Sequence, residues 1–203
     1  MGNTSEGSSC EHSVEVKGFS AIILAGGKSS RMGQKKSTLP FNGKSFIYII
    51  FQKLEEIGFE DIIISGYDYN KERYTYVEDK YQDKGPLAGI HAGLEKAVNQ
   101  SVLVITEDAP LIPEDYISSL MKKHREGKRP ITVAECGGRL QPLLGIYDKN
   151  LIPLCDSILQ GDKAAPMFLI ERAGCEMVSF QGDELLIRGC NTPEEYERLK
   201  LLS

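Results

Sequence analysis

Phe19-Ser20-Ala21-Ile22-Ile23-Leu24 form a nearly unbroken apolar run that stops at Ala25-Gly26-Gly27. A short run with so little polar alternation predicts a strand buried on both faces, as in a parallel sheet. After a polar stretch, Phe46, Ile47, Ile49, Ile50, Phe51, Leu54 and Ile57 recur at helical spacing, and Gly58 closes the element. Asp61-Ile62-Ile63-Ile64-Ser65 predicts the next strand and Tyr74 to Val77 a weaker one. Leu87, Ile90, Leu94 and Val98 mark a second helix, and the strand Val102-Leu103-Val104-Ile105 follows. Ile117, Leu120, Met121 and His124 sit on a third helix that opens after Pro113. Strands are expected at Ile131 to Ala134 and Leu143 to Tyr147, and helix from Leu151 to Ala173 with breaks near Gly161 and Pro166. A last pair of short strands is expected around Met177 to Phe180 and Leu185 to Ile187. Thr192-Pro193-Glu194-Glu195 then supplies an N-cap, a first-turn Pro and the Glu of a capping box for a terminal helix reaching about Leu201. The β-α-β-α alternation of the early half predicts an α/β fold, a parallel sheet with helices on both faces.

Composition narrows the class. The 203 residues suit one domain, read here as residues 19–203 behind a disordered polar tail at residues 1–18. Lys+Arg number 24 against 29 Asp+Glu, and this acidic balance argues against a nucleic-acid partner. No apolar run reaches the roughly 18 residues of a membrane span, and the tail lacks the apolar stretch of a signal peptide. The five Cys are scattered without a CxxC pair, so a disulfide framework or structural zinc is not expected and a cytoplasmic setting fits. His12, His91 and His124 are far apart in the chain, and no Ser-His-Asp or Cys-His set stands out.

Ligands of open α/β sheets bind beyond the carboxyl ends of the strands, which directs attention to Leu24-Ala25-Gly26-Gly27-Lys28-Ser29-Ser30-Arg31-Met32-Gly33-Gln34-Lys35-Lys36. Adjacent glycines let backbone N–H groups approach phosphate oxygens, and Lys28, Arg31, Lys35 and Lys36 concentrate cations within nine positions of an acidic chain. A triphosphate site and an ordinary glycine turn with a solvated basic face are the two readings, and the strand–loop–helix context favours the first. The dinucleotide fingerprint is absent because the glycines are adjacent. Gly43-Lys44-Ser45 is no P-loop because position 38 is Thr; Gly43-Lys44 reads instead as the turn before the first helix.

The string from Leu24 to Lys36 resembles the signature of the molybdenum cofactor guanylyltransferases. Glu78-Asp79 with Gly85-Pro86-Leu87-Ala88-Gly89 resembles the family's acidic pair and GPLAG turn, and Asp108-Ala109-Pro110 its Asp-x-Pro metal segment. Gly138-Arg139 with Pro142-Leu143, and Asn191-Thr192-Pro193-Glu194-Glu195, are similar to two later family segments. The resemblance implies a three-layer Rossmann-like fold with a mostly parallel mixed sheet. It also implies GMP transfer from GTP to molybdopterin with release of pyrophosphate, dependent on Mg²⁺. Molybdoenzyme chaperones or cofactor-insertion proteins are the implied protein partners.

The resemblance also suggests roles. Arg31 and Lys36 would hold the triphosphate, and Leu24, Ala25, Gly26 and Gly27 would contact the nucleotide largely through backbone. Lys28 joins them or is merely solvated. Asp108 would bind Mg²⁺, as a carboxylate at a strand's C-terminal end suits a hard cation that keeps waters and bridges phosphates. Asp79 would serve the guanine or ribose region or else be a turn acid, and Asn191 the molybdopterin half of the cleft or else only a helix start.

Five positions depart from the family. Lys35 stands where Asp is usual, Glu107 replaces the Cys before the metal-site Asp, and Gly189 replaces an Asn two positions before Asn191. Ser65 and Tyr67 occupy places usually held by Asn. Rival readings are a cytidylyl, sugar-phosphate or polyol-phosphate transferase of the same fold, or a GTP-binding module without turnover. Ala25-Gly26-Gly27, in place of the Ala-Ala-Gly of those relatives, leans toward guanylyl transfer.

Overall fold

The computed structural model of the protein describes residues 16–25, 40–41, 43–66 and 74–203. In chain order the strands are β1 (Phe19–Leu24), β2 (Pro40–Phe41), β3 (Lys44–Ser45), β4 (Ile62–Ser65), β5 (Thr75–Val77), β6 (Ser101–Thr106), β7 (Ile131–Cys136), β8 (Arg139–Asp148) and β9 (Glu176–Ser179). The helices are α1 (Phe46–Ile57), α2 (Pro86–Lys96), α3 (Glu114–Glu126), α4 (Ile152–Leu159), α5 (Pro166–Ala173), α6 (Leu185–Arg188) and α7 (Pro193–Lys200).

Seven strands form one sheet in the order β5-β4-β1-β6-β8-β7-β9, and β2 and β3 pair as a separate hairpin. β1 runs parallel to β4 and β6, and β4 to β5, while β8 lies antiparallel between β6 and β7. The expected three-layer, mostly parallel mixed sheet is what forms. The continuous apolar run of β1 has its reason here: Ala21 and Ile23 pack with α1 and α3 on one face, and Ile22 packs with α2, α4 and α5 on the other. A third cluster joins Phe41 and Phe46 to Leu185, Cys190 and Leu199, seating α6 and α7 on the hairpin and the start of α1.

Three local expectations are corrected. Val98 is not helical: Ala97 already has extended dihedrals, and the Val98 N–H turns to the Asp61 carboxylate, leaving the side chain 79% exposed. Leu185 to Ile187 is a short helix rather than a strand. Asp183 accepts the Leu185 N–H at 3.0 Å and starts the turn, so Leu185 and Ile187 reach two different clusters. Val16, assigned to the tail, packs against the α1/α3 core and accepts the Phe19 N–H. The capping box of α7 forms as expected, with Thr192 accepting from the Glu195 N–H and Glu195 from the Thr192 N–H. No helix among the described residues is long and apolar enough to cross a membrane.

Candidate functional site

Strand order reverses at β1, whose neighbours are β4 on one side and β6 on the other. Parallel register sets Leu24 level with Ser65 of β4 and with Thr106 of β6. The Ala25 N–H donates to Ser65 O at 2.8 Å and the Glu107 N–H to Leu24 O at 3.1 Å, so the end of β1 is held from both sides. The chain leaves this point into Gly26 and Gly27. Those two residues, with Lys28, Arg31, Lys35 and Lys36, lie outside the described residues.

Each flank of Leu24 carries an acid held by a hydroxyl from the end of a strand. On one side Ser65 Oγ donates to Asp79 Oδ1 at 3.0 Å. Partial burial pushes the Asp79 carboxyl above its usual range, and the Ser65 hydrogen bond pulls the other way. Gly89, in the first turns of α2, makes room for the pair. A Cβ there would lie 2.8 Å from Ser65 Oγ, 3.0 Å from Leu24 Cδ2 and 3.6 Å from Asp79 Oδ1.

On the other side Thr106 Oγ1 donates to Asp108 Oδ1 at 2.6 Å. The Cys190 N–H donates to Asp108 O at 2.9 Å, bringing the segment before α7 against the end of β6. Behind Asp108, Lys53 of α1 donates to Pro110 O at 3.3 Å and Ile112 O at 2.5 Å, pinning the loop that leads to α3. Burial lowers the Lys53 ammonium below its ordinary range, with Glu114 and Glu56 opposing.

Leu24, Ala25, Asp79 and Asp108 are therefore brought together. Asn191 is exposed at the entry to α7, its N–H donating to Glu195 Oε2 at 2.6 Å, directly after Cys190, which meets Asp108. The two described histidines are buried in the scaffold. His124 lies with Thr132 and Asp148 near the opposite end of β6, where Ser101 also binds Asp148. His91 packs under Tyr81 with Nε2 3.1 Å from Asp156. Among the described residues no three His, Cys, Asp or Glu converge as a metal cage. Asp108 and Thr106 offer oxygen donors, which suit a hard cation that completes its shell with phosphates and waters. Ser65 and Thr106 were not singled out as holders of these acids. The signal was available: each is a hydroxyl residue closing an apolar strand, just where the sheet delivers its ligands.

A model of the MobA-like NTP transferase domain family matches residues 21–175. Over 196 residues, covering 91% of this chain and 96% of the relative, the chain is 32% identical to a protein of Carboxydothermus hydrogenoformans named "Probable molybdenum cofactor guanylyltransferase". It is also 32% identical over 181 residues, 86% of this chain and 91% of the relative, to a Vibrio atlanticus protein named molybdenum cofactor guanylyltransferase. The crystal structure of molybdopterin-guanine dinucleotide biosynthesis protein A from Archaeoglobus fulgidus matches with a TM-score of 0.77. It covers 90% of this chain and 97% of that one at 19% identity, which is a likeness of fold.

Proposed function

Because the chain belongs to the MobA-like NTP transferase domain family, we propose that it transfers GMP from GTP to molybdopterin and releases pyrophosphate. One arrangement carries the reading: the residues that lead into the glycine loop lie between two hydroxyl-held acids at the carboxyl edge of the sheet. The names of the relatives support the guanylyl and molybdopterin parts.

In the reaction, a phosphate oxygen of molybdopterin bonds to the α-phosphorus of GTP as the bond from that phosphorus to the bridging oxygen breaks. Pyrophosphate leaves with the electron pair. The attacking oxygen is already ionised at neutral pH, so no side chain has to remove a proton, and positioning and charge neutralisation carry the catalysis. Gly26 and Gly27 offer backbone N–H groups to the phosphates, and Arg31 and Lys36 offset the charge that gathers on pyrophosphate. Leu24 and Ala25 line the nucleotide, Asp79 takes the ribose or guanine side, and Asn191 faces the acceptor. Asp108 would hold Mg²⁺, whose charge would offset that of the phosphates. Residues 19–203 act as one domain in this reading. Its setting is the cytoplasm, and molybdoenzyme chaperones or cofactor-insertion proteins receive the product.

The test is pyrophosphate release with molybdopterin, Mg²⁺ and GTP, CTP, UTP or ATP in turn, alongside calorimetric titration with each nucleotide. Turnover with GTP alone is expected. Preference for CTP, or GTP binding with no transfer, overturns the proposal.

A further inference from the structure

We propose that Gly189 is a positioning residue for Asp108: its bare backbone forms the wall that keeps the Asp108 carboxylate on Thr106. The inference rests on the reading of Asp108 as the cation-binding acid. Gly189 is buried, with φ 82° and ψ 161°. This backbone region is essentially reserved for glycine. A Cβ built on it would lie 2.6 Å from Asp108 Cγ, 3.0 Å from Oδ2 and closer still to Oδ1. By comparison, a Cβ at Gly127 would lie 3.5 Å from Glu176 Cδ and one at Gly89 3.6 Å from Asp79 Oδ1.

Neither partner can step aside cheaply. The Asp108 carboxylate accepts the Thr106 hydroxyl on Oδ1, the oxygen that such a Cβ would crowd most, and its own backbone carbonyl accepts the Cys190 N–H. Cys190 is locked in the cluster with Phe41, Phe46, Leu185 and Leu199. A side chain at position 189 therefore meets a fixed backbone on one side and a hydrogen-bonded carboxylate on the other. It relieves the overlap by turning Asp108 off Thr106. The glycine that departs from the family's Asn thus gains a function of its own: it trades a side chain for close backbone approach.

Gly174 supplies a matched control. Its φ 73° and ψ 159° nearly repeat those of Gly189, yet a Cβ there meets first the flexible side chain of Arg129, with Nη1 at 2.9 Å. Gly189→Ala and Gly174→Ala thus carry the same backbone penalty, and only the first touches Asp108. The probe is Mn²⁺ binding, followed by electron paramagnetic resonance, to the full chain with α,β-methylene-GTP. Gly189→Ala is expected to weaken Mn²⁺ at least tenfold and Gly174→Ala less than twofold. Thermal melting gives a readout that does not need the cation. Because the overlap is with the carboxylate, adding Asp108→Ala should restore much of the stability that Gly189→Ala loses. Equal Mn²⁺ affinity in the two glycine variants, or no such restoration, overturns the proposal. Unchanged Mn²⁺ affinity in Asp108→Ala alone overturns instead the reading on which it rests.

Discussion

The two flanks of Leu24 solve one problem with the same parts drawn from different distances in the chain. Each has a strand-end hydroxyl, an acid beyond the strands and a glycine that lets the next segment close in. On the Asp79 flank the glycine belongs to the helix that follows the acid, and it leaves ordinary van der Waals space to Asp79. On the Asp108 flank the hydroxyl is two residues away, but the glycine comes from the far C-terminal segment and leaves no room for a Cβ beside the carboxylate itself. The looser flank suits a contact that adapts to a base or ribose, and the tighter one suits an acid held in a single geometry. A pocket that must both recognise and neutralise has reason to make its two acids unequal.

Substitutions can break this comparison, beginning with the largest effect. Asp108→Ala should lower Mg²⁺-dependent transfer by at least about 10²-fold in kcat while leaving far-ultraviolet circular dichroism unchanged; wild-type turnover would make the two flanks equivalent. Lys36→Ala removes a cation proposed to hold the triphosphate. Calorimetry should show GTP binding weakened by about 1.5–3 kcal/mol, the range for hydrogen bonds to charged groups. Lys53→Met strips two carbonyls behind Asp108 of their donor. Urea unfolding should register a loss of about 1–3 kcal/mol, with no change in nucleotide preference.

The smallest effect tests the looser flank through pH. Burial raises the Asp79 carboxyl, so ionising it costs the folded state more than the unfolded one. Stability is therefore given up as pH rises from the ordinary carboxylate range through the elevated value, and the full cost is present at neutral pH. Asp79→Asn keeps the Ser65 partner and removes the charge. It should melt slightly higher than wild type at pH 7, with the gain vanishing below the ordinary carboxylate range. A gain that persisted in acid would mean that burial of the charge is not its source.

Much of the fold was legible because burial on both faces leaves a blunt signal. β1, β4 and β6 appear as apolar runs, and α1 and α3 as clean helical periodicities. What failed was short and context-bound. A four-residue helix such as α6 is too brief to express a period, so Leu185 and Ile187 pass for strand positions until Asp183 is seen accepting the Leu185 N–H. Likewise the site's local elements, Ala25 into the glycines and Asp108 after its strand, could be found from spacing. The Thr106–Asp108–Gly189 contact could not, since nothing in the string around Gly189 says which acid it meets. There the glycine looked only like a missing asparagine.

The hairpin has a consequence of its own. Two described residues flank residues 26–39 as posts: one is Ala25, bonded to β4, and the other is Phe41, wedged among Phe46, Tyr196 and Leu199. The second post is built from the last helix, so the tail end of the polypeptide braces the anchorage of its most basic stretch. Trimming α7 would leave the central strands standing while loosening the post at Phe41. Such damage would surface first as a poorer grip on nucleotide and only later as unfolding.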